Sequence, residues 1–330
     1  MDAEHLPVLV GEALRYLAPE RGGLYVDATV GLGGHGEALL EAAEGARLVG
    51  IDRDPEALER AGARLARFGS RVRLLQGRFS ELPRLLAAAE GAAARPAGVL
   101  ADLGLSSLQL DTPGRGFSFR FDAPLDMRMG PGGETAGEIV NRYPEADLVR
   151  IYTEYGEERQ ARRVARAVVE AREEAPIETT GRLRDLILEV KGLGAAGPGG
   201  SRREGRVDPA TRVFQALRIE VNRELAELER FLDEAARLLD GDGRLVVISY
   251  HSLEDRIVKN TFRDLARGEI DEVTGRPRAE SRILEVLTKK PVRPSAEEVA
   301  RNPRARSGRL RAAARRAPAE REDARRPPEP

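Results

Sequence analysis

Three carboxylates stand at the ends of apolar runs, each where a strand would hand over to a helix. Asp27 closes Tyr25-Val26, Asp52 closes Arg47-Leu-Val-Gly-Ile51, and Asp102 closes Gly98-Val-Leu-Ala101. After the first acid come Gly31, Gly33, Gly34 and Gly36, with His35 among them, and then a helix-forming Glu-Ala-Leu-Leu-Glu-Ala-Ala. Glycine is needed where the backbone takes a positive φ or a ligand lies against the peptide, and a helix start offers unpaired N–H groups. The spacing Gly31-x-Gly33-x-x-Gly36 satisfies a dinucleotide fingerprint. Asp27 argues for a different ligand, because a pyrophosphate would meet an anion there, whereas an adenosyl amino acid would bring its ammonium group. Asp52, 21 residues beyond Gly31, is spaced to take both ribose hydroxyls. Phe79, after the third apolar run, can cover one face of an adenine, and Asp102 can contact the adenine amino group or the amino-acid part. His35 is read as a ligand contact without catalytic duty.

A second dense stretch is Ser249-Tyr-His-Ser-Leu-Glu-Asp-Arg256, directly after a later apolar run. Ser252, His251 and Asp255 have the composition of a hydrolase triad, but no G-x-S-x-G elbow frames them. Substrate positioning is the better reading of this stretch.

These groups need a scaffold that brings strand ends together, and the chain supplies one. Apolar runs at 47–52, 72–75, 98–104 and 243–249 alternate with helical stretches such as Pro55–Phe68, where Asp54 and Pro55 form an N-cap and first turn. That alternation implies a parallel, doubly wound α/β sheet, whose ligands sit outside the carboxyl ends of the strands. It breaks off after Asp102. A loop-like stretch with Phe117, Phe119 and Phe121 follows, and then helices begin at the capping box Thr135-Ala-Gly-Glu138. The expected organisation is a first core segment at 1–105, an inserted all-helical substrate-recognition domain at 106–208, a second core segment at 209–310 and a basic flexible tail at 311–330. Asp208-Pro209 is expected to open one long helix ending near Gly241, and 283–288 to form a late strand.

Composition narrows the function classes. The chain has 41% hydrophobic and 33% charged residues, only 4% aromatic, and no Cys, which removes disulfides, thiolate metal sites and cysteine nucleophiles. An acidic N-terminus and the lack of a long apolar run predict a cytoplasmic protein without a membrane partner. The net charge of −1 conceals an asymmetry: residues 289–330 carry two Lys and eleven Arg against five Glu and one Asp, or +7, leaving −8 elsewhere. A basic end on an acidic protein points to a phosphate-bearing partner.

Longer stretches join these groups. His5-Leu-Pro-Val-Leu9, Gly31-Leu-Gly-Gly-His35, Asp52-Arg-Asp-Pro55, Asp102-Leu-Gly-Leu-Ser-Ser-Leu-Gln-Leu-Asp111, Pro124-Leu-Asp-Met-Arg-Met129, Pro209–Ile219, Ser249–Lys259 and Asn302-Pro-Arg-Ala-Arg-Ser307 together resemble the bacterial 16S rRNA cytosine-N4 methyltransferase family of the MraW or RsmH type, over roughly 5–310. The resemblance implies a class I, Rossmann-like methyltransferase core with a helical insertion. It also implies methyl transfer from S-adenosylmethionine to the exocyclic N4 of a cytidine in the P-site part of the decoding centre. Cofactor contacts carry over to Gly33, Gly34, His35, Asp52, Phe79, Asp102 and Gln109. Asp102, Tyr250 and His251 are the candidate catalytic residues; no metal and no DNA partner is expected. The family commonly has His where this chain has Asp208, and many members carry a Cys-containing segment absent here. Tyr250, Phe117 or Phe119 is expected to stack on the unstacked target base, and 289–316 to hold rRNA phosphates.

Overall fold

The computed structural model describes residues 6–104, 112–118, 121–193, 208–271, 274, 278 and 281–316. Chain contacts divide it into two compact units, 1–104 with 227–330, and 105–226.

The first unit is built on strands that are apolar on both faces, which suits a sheet covered on both sides. The strands are β1 (Gly23–Asp27), β2 (Ala46–Asp52), β3 (Val72–Gln76), β4 (Gly98–Asp102), β5 (Arg244–Ser249), β6 (Leu284–Val286) and β7 (Arg309–Arg315). Their order is β3-β2-β1-β4-β5-β7-β6, with β1 to β5 parallel and β7 antiparallel to both neighbours. The order reverses between β1 and β4, so Asp27 and Asp102 flank the switch point where such sheets bind ligands. Helices α1 (Val10–Leu17), α2 (Gly34–Ala42) and α3 (Pro55–Leu65) bury Leu17, Leu40 and Leu65 on one face. Helix α4 (Leu82–Glu90) and two helices named below bury Leu86, Phe231 and Phe262 on the other. The expected N-cap of α3 forms: the Asp54 carboxylate accepts from the Glu56 N–H at 3.1 Å.

The second unit is helical: α5 (Ala136–Arg142), α6 (Glu145–Glu154), α7 (Ala161–Glu174), α8 (Thr180–Val190) and α9 (Thr211–Asn222). The capping box at Thr135 and Glu138 is present. Its core takes Val213, Phe214 and Leu217 of α9, and Asn222 accepts from Met129 N–H at 3.0 Å while donating to Met127 O at 2.8 Å. The insertion therefore ends near 226, not 208.

Three further expectations are corrected. The single helix from 208 to 241 is two, because Arg223 adopts φ 53° and ends α9 before α10 (Glu224–Leu238) begins. Asp208 does not cap α9; it accepts from Ala210 N–H at 2.9 Å and pairs with Arg184. The tail does not begin at 311, since β7 lies inside the sheet. Its Arg-Leu-Arg-Ala-Ala-Ala-Arg sequence has poor strand propensity, but neighbouring strands on both sides override that weak local preference. Helices α11 (Ser252–Arg267) and α12 (Ala296–Arg301) complete the first unit.

Candidate active site

The loop after β1 turns on Gly33, whose φ of 81° ends the turn and leads into α2. Gly34 answers a different need: a Cβ there would stand 3.0 Å from the Pro7 ring. Asp52 pins this loop from the next strand. Its Oδ2 accepts from Gly31 N–H and its Oδ1 from Asp54 N–H, both at 2.9 Å, and burial raises its pKa. A carboxylate has about four acceptor positions, so these two contacts leave capacity for a ribose diol. Phe79 follows β3, half-buried, with its edge or face set against Phe231 at 5.3 Å and 86° between ring planes.

Asp27 and Asp102 meet across the switch point through Thr29. The Thr29 N–H donates to Asp27 Oδ1 at 3.2 Å, while its hydroxyl oxygen accepts from Asp102 N–H at 2.7 Å. Asp102 Oδ1 accepts from the Tyr250 hydroxyl at 2.8 Å, and Oδ2 lies 3.8 Å from His35 Nδ1. Burial pushes both acids up to about 7, partly opposed by His35 at Asp27 and by the Tyr250 hydrogen bond at Asp102. The same burial holds the His35 pKa down. Since the Val8 carbonyl 2.9 Å from His35 Nε2 can only accept, Nε2 carries the hydrogen of the neutral ring and Nδ1 turns its lone pair towards Asp102. Among the described residues no Lys or Arg is paired with either acid.

Tyr250, expected to stack on the target base, follows directly on β5 and is half-buried. Its hydroxyl is held by Asp102, burial raises its pKa well above the ordinary value, and a Cβ on Gly104 would come within 3.0 Å of the ring. The ring is a wall beside Asp102. His251 caps α11: Nδ1 accepts from Glu254 N–H at 3.5 Å, Nε2 stands 3.0 Å from Glu254 Oε1, and Glu254 Oε2 accepts from Tyr250 N–H at 2.8 Å. The triad composition does not assemble, because Asp255 is gripped at both oxygens by Arg311, at 2.7 and 3.2 Å. Phe117 lies in the core of the second unit, which removes it as a stacking group. Gln109 and Phe119 fall outside the described residues.

Thr29 had no local signal, whereas Glu254 lies in the dense stretch at 249–256 without a role of its own having been legible there. The N-terminal segment is also tied in: Leu9 N–H donates to Glu298 Oε1 at 2.7 Å, Asn302 Nδ2 donates to Leu6 O at 2.9 Å, and Val8 O receives His35. Both sides of this link lie in stretches quoted above, His5–Leu9 and Asn302–Ser307.

A glycine loop and an acid after each of β1, β2 and β4 provide for an adenosyl ligand, and buried Asp27 and half-buried Asp102, without a Lys or Arg partner among the described residues, favour a cationic one over a pyrophosphate. Together with the strand order and antiparallel β7, they define a class I S-adenosylmethionine-dependent methyltransferase. The chain belongs to the MraW methylase family, whose sequence profile matches residues 2–316. It is similar to proteins named ribosomal RNA small subunit methyltransferase H. That of Geobacter sulfurreducens is 52% identical over 324 residues, covering 95% of this chain and 99% of its own. That of Geotalea uraniireducens is 50% identical over 321 residues, covering 94% and 98%, and that of Bradyrhizobium diazoefficiens is 48% identical over 327 residues, covering 97% and 94%.

Proposed function

We propose that this methyltransferase acts on the exocyclic N4 of a cytidine in 16S rRNA, in the P-site part of the decoding centre, within the small ribosomal subunit. The observation that carries the reading is the pair of acids at the carboxyl edge of the sheet, buried Asp27 and half-buried Asp102, with no Lys or Arg paired to either among the described residues. Gly33, Gly34 and His35 would hold the amino-acid end of S-adenosylmethionine, Asp52 its ribose and Phe79 its adenine, with Asp102 and Gln109 completing the set. When bound, that group supplies an electrophilic methyl on a sulfonium centre.

The chain's own residues supply position and proton handling. Cytosine N4 is a poor nucleophile because its lone pair is delocalised into the ring, so an acceptor for its N–H bonds helps it rehybridise. Asp102 is that acceptor. Tyr250 donates to one of its oxygens and fixes the other in the cleft, and a pKa near 7 lets the carboxylate take a proton at neutral pH. His251 acts at one remove, by capping the helix that carries Glu254 and so fixing the backbone at Tyr250. The target base must leave its stack to reach this cleft, and the helical unit at 105–226 serves to recognise the surrounding RNA.

Calorimetric titration of S-adenosylmethionine and NAD into the protein and into Asp52→Ala tests the cofactor assignment. Binding of the first alone, weakened in the variant, is expected; binding of NAD instead would overturn it. Nucleoside mass spectrometry of treated small subunits then tests the product, and a methylated base other than N4-methylcytidine refutes the substrate assignment.

A further inference from the structure

Many exposed arginines on the helices of the first unit are matched by acids close in sequence: Arg60 with Glu56, Arg84 with Glu81, Arg230 with Glu234 and Arg237 with Asp233, at 2.7 to 3.0 Å. Such pairs neutralise the surface locally. The segment 289–309 is different. Lys289, Lys290, Arg293, Arg301 and Arg306 are exposed, and none is matched by a carboxylate among the described residues. Arg309, the first residue of β7, is half-buried and has no carboxylate partner among the described residues, so it carries the same unmatched row up to the sheet.

Register places this segment. Arg309 pairs with Ser249, the last residue of β5, and Val292 bridges to Leu310, which pairs with Ile248. Ile248 in turn pairs with Asp102 on the adjoining strand. The segment therefore leaves the sheet after Val292 and re-enters it at Arg309 on the carboxyl edge, the edge that also carries Asp102 and Tyr250. The other half of the basic stretch is already occupied: Arg311 holds Asp255, and Arg315 donates to the carbonyls of Ala236 and Arg237 at the end of α10, both at 2.7 Å.

We propose that residues 289–309, and not the whole basic end, form a phosphate rail on which the RNA backbone docks, with Arg309 as its inner anchor. This rests on the RNA-substrate reading above. The rail reads no sequence; phosphate contacts set register and orientation while base contacts in the cleft specify the nucleotide.

The test is fluorescence anisotropy of a labelled RNA hairpin of decoding-region sequence, titrated with the full chain across a series of KCl concentrations. Each lost phosphate contact should flatten the slope of log K against log salt by about 0.7 to 0.9. The triple variant Arg293→Gln, Arg301→Gln, Arg306→Gln should therefore lose roughly 2 to 3 from the slope. Its S-adenosylmethionine affinity, read by calorimetry, should match wild type. Arg309→Gln should weaken RNA binding further; as it alters a strand end, its S-adenosylmethionine binding is read in parallel, and the exposed triple variant decides if that binding fails. A triple variant with normal cofactor binding and an unchanged salt slope overturns the rail while leaving the function intact. A wild-type protein that binds S-adenosylmethionine but no RNA overturns both. Binding to phosphatidylglycerol vesicles that the triple variant loses, with RNA affinity untouched, would reassign the segment to a lipid surface and also overturn it.

Discussion

At the scale of single residues, the proposed chemistry rests on Asp102 and the hydroxyl that holds it. Both Asp27 and Asp102 are raised in the folded protein to about 7 from an ordinary 3.8, so between about pH 4 and 7 the folded chain holds protons that the unfolded chain has released. Unfolding free energy then falls as pH rises through that window and levels off above it. Asp102→Asn removes one of the two contributions, so its melting temperature relative to wild type should climb from pH 4 to pH 7 and stay constant to pH 8. A gap that does not change with pH would contradict the assigned ionisation. Removing the Tyr250 hydroxyl acts in the opposite direction on activity. That hydrogen bond stabilises the ionised carboxylate, and a bond to a charged group is worth about 1.5 to 3 kcal/mol. Tyr250→Phe should therefore move the midpoint of the pH–rate profile upward by roughly one to two units, with S-adenosylmethionine still bound. A variant whose rate falls equally at every pH would show that Tyr250 only shapes the cleft.

The elements differ in how far their sequences announce them, and the reasons are physical. Asp54-Pro55 and Thr135-x-x-Glu138 mark helix starts because capping is a contact between residues two or three apart, and both form. The strand-end acids are equally legible, since each follows an apolar run. The link between Tyr250 and Asp102 is not, because it joins residues 148 apart and depends on β4 and β5 being neighbours. Nor does anything near Arg223 signal that it takes φ 53° and breaks a helix. Glycine relieves that geometry, so Arg223→Gly should raise stability by about 1 kcal/mol in a urea melt; a loss of stability would mean the arginine side chain matters more than the backbone. Strand β7 was hidden by its composition, and its anchor was hidden with it. Arg311 is buried and forked onto Asp255, and removing one partner of a buried pair leaves a bare charge. Arg311→Met is expected to cost roughly 3 to 5 kcal/mol, and adding Asp255→Asn should recover part of it. If the double variant is no more stable than the single, the pair is not the source of the loss.

For the whole molecule, the charge asymmetry separates into a structural part and a working part only once β7 is in place. A chain cut after Thr288 loses a strand from inside the sheet and should fail to fold, so it says nothing about RNA affinity. A chain cut after Arg316, whose N–H still donates to Ile283 O at 2.9 Å, keeps the sheet whole and should retain the wild-type melting temperature and cofactor affinity. A fall of several degrees would assign a stabilising role to residues 317–330. Strand β7 has a further consequence, for the protein while it is being made. It sits between β5 and β6 yet follows both in the chain. Until residues 309–315 leave the ribosome, β5 presents an open row of N–H and C=O groups, the feature that invites pairing with other chains. Glu298 and Asn302, which tie the N-terminal segment beneath His35, also arrive late. The nascent enzyme therefore stays adhesive and inactive through most of its translation, and an interrupted message upstream of codon 309 yields a client for chaperones and proteases rather than a weakened catalyst.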